Sequence, residues 1–115
     1  MASQRYSVYV VELKRSVWTE RWQLRRRNPT YNGMKECLYV GMTSLSPQQR
    51  LTKHMTGARS KRGHRISSSI VKNYGLYLRP SLYAHLNPLT KMEAQDIEMR
   101  LAKRLQKQGY AVWWN

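Results

Sequence analysis

Two placements in this sequence put reactive side chains where packing alone gives no reason for them. Between Lys91 and Gln108 the residues Ala94, Ile97, Leu101 and Leu105 recur at helical spacing. At about 100° per residue they form one apolar stripe. Glu98 lies only about 40° from Ala94, inside the stripe, whereas Asp96 points away and Glu93 sits at the margin. A carboxylate facing a core is costly unless it is paired or binds a metal. Two readings stay open: an ion pair or an escape at the stripe's edge, and ligation of a divalent cation, since Mg²⁺ takes oxygen ligands and bridges to phosphate. The second placement is Arg50 and His54, four residues apart and so on one helix face. His54 is there either a surface histidine or a group that shares a phosphate contact or moves a proton. His64 and His85 have no companion at metal spacing. Cys37 is alone, which excludes an internal disulfide and a Cys-based zinc site.

The elements that must position these residues are legible from pattern. Tyr6–Leu13, rich in Val and Tyr, predicts a central strand, and Leu38–Gly41 a second one. The connection between them, Lys14–Lys35, carries Arg15, Arg21, Arg25, Arg26, Arg27, Trp18 and Trp22, and closes on the turn residues Asn28–Pro29 and Asn32–Gly33. A short helical turn there would bring Trp18 and Trp22 together. Ser46–Pro47–Gln48–Gln49 opens a helix with a capping box and proline at its first position; Gly57 ends it. A basic loop follows, then a helix over Ile66–Tyr74 stopped by Gly75. Leu76–Leu86 predicts a strand interrupted or edged at Pro80. Thr90 and Glu93 cap the longest helix, Lys91–Gln108, and Tyr110–Trp114 predicts a short aromatic strand. There are no repeats and no interdomain linker, so residues 1–115 are read as one domain.

Charge indicates the partner. Across 115 residues, 21 Lys and Arg face 6 Asp and Glu, a formal charge of +15. Such an excess self-repels unless a polyanion is near, and it is the footprint of nucleic-acid binding. An anionic membrane is the main rival, but no uninterrupted apolar run or lipidation motif supports it. The N-terminus lacks the apolar region of a signal peptide, so a cytoplasmic protein is expected.

In order along the chain, these segments resemble the GIY-YIG nuclease superfamily. Val8–Tyr9, within Tyr6–Val11, sits where that family's first motif lies, and Tyr39–Val40–Gly41 matches the second. Arg50, His54 and Gly57 match the Arg-x-x-x-His-x-x-Gly run that follows, and Ser60–Lys61 a Ser-Lys pair. Glu93–Glu98 resembles the late helix bearing the metal-binding glutamate, which falls on Glu98. Ser7 stands where the first motif has glycine, Pro47 adds a residue between Gly41 and Arg50, and the basic insertion at about 14–35 is longer than in a minimal domain.

The resemblance implies an α/β fold with a small central, mainly antiparallel three-stranded sheet flanked by helices. It implies a metal-dependent endonuclease that hydrolyses nucleic-acid phosphodiesters, DNA being favoured over RNA. One divalent ion, Mg²⁺ with Mn²⁺ as the other candidate, would be held by Glu98. Arg50 would clamp a phosphate oxygen with its planar fork. Tyr9 or Tyr39 would take a proton from water, Tyr9 being favoured, with its pKa of about 10 lowered by nearby positive charge. Lys53, Arg59, Lys61, Arg62 and Arg65, with Arg25, Arg26 and Arg27, would track the backbone. Trp18 and Trp22 either stack on unpaired bases or pack within the connection. Oligomeric state is left open by the sequence: dimerisation to cut two strands and service as a module for a partner protein are the two readings. The alternatives are a non-catalytic DNA- or RNA-binding module on the same scaffold, and a ribosome-associated basic protein, whose low-complexity tail is not seen.

Overall fold

Ser7–Leu13 forms β1, and its Val- and Tyr-rich run is buried on both faces, as a central strand requires. It pairs antiparallel along its whole length with β2, Cys37–Thr43, setting Tyr9 opposite Gly41 and Val11 opposite Tyr39. Because side chains alternate along a strand, Tyr9, Val11, Gly41 and Tyr39 share one face. The computed structural model describes residues 3–56 and 66–115, the side chains of residues 66–68 excepted.

The connection between β1 and β2 is helical but broken. Ser16–Glu20 (α1) and Trp22–Arg27 (α2) are separated by Arg21, which is extended at φ −121 and ψ 94. The break separates the two tryptophans. Trp18 packs on Tyr31 with ring centroids 4.6 Å apart, while Trp22 stays 55% exposed. Arginines fasten this segment to itself: Arg15 donates to the carbonyls of Gly33 and Met34, and Arg25 to those of Trp18 and Thr19.

Both sequence-predicted capping boxes form, at Ser46–Gln49 on α3 (Pro47–Met55) and at Thr90–Glu93 on α5 (Lys91–Lys107). Between them lie α4 (Ile66–Tyr74) and β3 (Gly75–Leu78), and the chain closes on β4 (Ala111–Trp114). The sheet order is β3-β1-β2-β4, with β3 antiparallel to β1 and β4 parallel to β2.

The fold is therefore α/β as expected, but the sheet is four-stranded and mixed, not three-stranded and mainly antiparallel. On β1 the edge away from β2 is taken by β3, so the aromatic segment after Gly109 adds to the open edge of β2. Gly109 turns the chain there at φ +106, a left-handed value that favours glycine.

The strand expected over Leu76–Leu86 also stops early. Pro80–Leu82 and Ala84–Leu86 are 3-10 turns, since proline has no N–H for a ladder. Other groups finish the edge of β1. The Arg79 amide donates to the Val10 carbonyl at 2.9 Å, and Tyr6 bridges Leu89. The Asn87 side chain accepts from Val8 N at 2.9 Å and donates to Val8 O at 2.8 Å. No helix among the described residues is long and apolar enough to cross a membrane.

Candidate active site

Three elements bring four polar side chains to one place. Tyr9 comes from β1, Tyr39 from β2, and Arg50 and His54 from one face of α3. The Tyr9 hydroxyl lies 3.2 Å from His54 Nε2. The Tyr39 ring stands 6.0 Å from both the Tyr9 and the His54 ring, edge-on to the histidine. Gly41 is the floor of this arrangement. A methyl group there would sit 2.6 Å from Tyr9 Oη and 2.9 Å from Tyr39 Cε1, so no larger residue lets both rings lie over β2. Asn87, a residue that sequence reasoning does not single out, holds the backbone next to Tyr9 through its two bonds to Val8.

Tyr9 is 1% exposed, Tyr39 2% and His54 4%, while Arg50 is half-buried at the rim. Burial governs their protonation. It pushes the Tyr9 phenol well above its ordinary value, the neighbouring Tyr39 adds to the rise, and the Arg50 guanidinium opposes it. Burial, then the charge of Arg50, lowers His54 to about 4. At neutral pH the imidazole is uncharged, and in the tautomer that carries its hydrogen on Nδ1 the Nε2 atom accepts the phenolic hydrogen bond. The cluster thus offers an anion one guanidinium and tyrosine hydroxyls, and offers a proton one neutral ring nitrogen.

Glu98 lies where its helical phase predicts, on a buried stripe of α5 with Ala94, Leu101, Ala102 and Leu105. Among the described residues it has no ion pair, and Oε2 is buried without a hydrogen-bond partner. Asp96, by contrast, pairs with Arg100 at 3.0 Å on the exposed face. Burial raises Glu98 to about 7. No hydrogen bond links Glu98 to the tyrosine–histidine cluster among the described residues.

Burial of Glu98 makes the stability of the fold depend on pH. The folded state holds the proton more tightly than the unfolded chain, so stability present below about pH 4.3 is lost as pH rises toward 7. Glu98→Gln, which mimics the protonated acid, should match the parent at pH 4.5 and exceed it by about 2–3 kcal/mol at pH 8 in urea unfolding. A difference independent of pH would rule out the buried, proton-holding carboxyl.

No protein-family model matches the chain, and neither a curated protein nor a solved structure does. Its chemistry therefore rests on its own residues. Of the cations read as backbone-tracking, Arg25 and Arg27 have partners within the chain. The Arg27 guanidinium lies 4.0 Å from the centre of the Trp113 ring and donates to the Trp114 carbonyl. Arg26 and Lys53 are exposed without ion-pair partners among the described residues. Arg59, Lys61, Arg62 and Arg65 lie outside the described residues.

Proposed function

We propose that this chain is a metal-dependent endonuclease of the GIY-YIG kind, hydrolysing nucleic-acid phosphodiesters, with DNA the favoured substrate. The observation that carries this reading is the meeting of Tyr9, Tyr39, Arg50 and His54 over Gly41, with Tyr9 Oη 3.2 Å from His54 Nε2. Arg50 binds a non-bridging phosphate oxygen through its fork and keeps its charge at any working pH. Tyr39 orients the phosphate or the attacking water. The buried phenol of Tyr9 does not ionise in advance. Its proton passes to His54 Nε2 as its oxygen takes one from the water, whose oxygen then bonds to phosphorus while the bond to the leaving oxygen breaks. The leaving oxygen is protonated by solvent. His54 suits the acceptor role because it is neutral at rest.

The buried, unpartnered Oε2 of Glu98 fits a cation ligand. Among the described residues no three His, Cys, Asp or Glu side chains cluster as a complete metal site, and Mg²⁺ is commonly held by one or two carboxylates with waters and phosphate oxygens. When bound, Mg²⁺ or Mn²⁺ supplies neutralisation of charge on the scissile phosphate and the leaving oxygen.

The high pKa of Tyr9 favours one other reading, a module that binds the phosphate backbone through the same cluster without cutting it. Incubation of supercoiled plasmid and of single-stranded, duplex and branched oligonucleotides with Mg²⁺ or with EDTA separates the two. Cutting that EDTA abolishes is expected. Tight binding to all four substrates without a cut in any of them leaves the binding module.

A further inference from the structure

A cavity of about 350 Å³ opens between the segment Arg27–Tyr31 and the last turns of α5 from Lys103 to Tyr110. Its construction is specific. Asn28, 3% exposed, accepts from Val112 N and from Gln106 Nε2, and donates to the carbonyls of Leu24 and Val112. Gln106 also donates to the Arg27 carbonyl. These bonds clamp the end of α2, the end of α5 and β4 into fixed walls. A site built this way loses little freedom when a ligand enters.

Its charge has one sign. Arg27, Lys103 and Lys107 line it, and no Asp or Glu does. Lys103 and Lys107 are exposed, stand four residues apart on α5 and have no carboxylate partner among the described residues. Like charges at that spacing repel, and no carboxylate among the described residues offsets them. The Arg27 guanidinium lies 4.0 Å from the Trp113 ring centre and 5.1 Å from that of Trp114, which positions the third cation. Tyr31 and Tyr110 add aromatic walls, and the volume suits one nucleotide unit.

We propose that this cavity is a second nucleic-acid subsite, holding one sugar-phosphate unit of a strand by Lys103 and Lys107 against the Tyr31 and Tyr110 walls. It rests on the nucleic-acid partner in the proposed function, not on cleavage. Lys103 and Lys107 follow Glu98 by about 7.5 and 13.5 Å along the axis of α5. At about 100° per residue they lie roughly 140° and 180° around the helix from Glu98, so a strand touching both places passes around α5 rather than along one face. A lipid surface, which is broad and flat, is a poorer match to a concave cleft with aromatic walls.

The test reads binding alone, in EDTA, by fluorescence anisotropy of fluorescein-labelled 20-nucleotide DNA and RNA single strands. Lys103→Gln/Lys107→Gln is compared with Lys72→Gln/Lys91→Gln, an equal charge change at exposed positions elsewhere. The first pair should weaken binding by about 10-fold and reduce the salt slope by roughly 2, and the second by less than about 3-fold. Loss on DNA alone, on RNA alone or on both identifies the strand the subsite takes. Equal losses from the two pairs, or unchanged affinity in the first, overturn the subsite. So does a loss confined to phosphatidylserine vesicles run in parallel, which assigns the lysines to a membrane. A parent that binds through Lys103 and Lys107 but never cuts refutes the endonuclease and keeps the subsite; the reverse result does the opposite.

Discussion

Tyr9→Phe and Arg50→Ala should each slow Mg²⁺-dependent cutting by about 100-fold or more, while affinity for uncut substrate in EDTA stays within a few-fold. The first change removes a single oxygen. Its ring still lies over Gly41, so the packing survives and what is lost is the hydroxyl's bonding to His54, Tyr39 and Arg50, a net cost to folding of about 1–2 kcal/mol. A large fall in rate with a small fall in stability would therefore assign the effect to chemistry. Arg50 is half-buried and has no carboxylate partner among the described residues, so alanine there should also leave the fold intact. Because His54 must be neutral to accept, the parent's rate should fall as pH drops toward about 4. Normal cutting by Tyr9→Phe would remove it as the proton carrier and leave Tyr39 as the candidate. Normal cutting by Arg50→Ala would sink the phosphate clamp.

The largest effect on stability is expected at Asn28. Alanine there strands the amide and carbonyl of Val112 and the Leu24 carbonyl in a buried site, and takes from Gln106 one of its two acceptors, the Arg27 carbonyl remaining. With each unmatched group costing about 1–3 kcal/mol and partial relaxation, the loss should be about 3–5 kcal/mol. In a domain of this size that lowers Tm by roughly 10–20 °C. Asn28→Asp should be about as damaging, since the amide donor to two carbonyls becomes an acceptor facing them. Calorimetry giving a loss below about 1 kcal/mol for both would show that the clamp is not cooperative.

Asn28 also illustrates what sequence reading reaches. An Asn-Pro pair is a local turn signal, and nothing local says that the side chain bonds Val112, 84 positions away. Asn87 is similar, its partner Val8 lying 79 positions back. The paired strands β1 and β2, both capping boxes and the inward phase of Glu98 were legible because periodicity and capping are written within one turn or one strand. The parallel β4 was not, because strand propensity specifies a strand and not its neighbour or direction. Pro80 carried a readable warning, but the substitution of side-chain and turn bonds for a ladder depends on tertiary contacts. The arginines of the insertion read as one block of charge, and only the fold separates Arg15 and Arg25, bound to carbonyls, from Arg26.

The fastening of the insertion has a topological consequence. Its tip, 29–32, lies between two independent anchors, Asn28 on β4 and α5, and Arg15 on the Gly33 and Met34 carbonyls. A backbone break at the tip would leave an N-terminal fragment carrying Tyr9 and a C-terminal one carrying Tyr39, Arg50, His54 and Glu98. Neither holds the whole cluster, and the β1–β2 pairing is what would join them. Two such pieces would bring the cluster together only by re-forming the β1–β2 pairing.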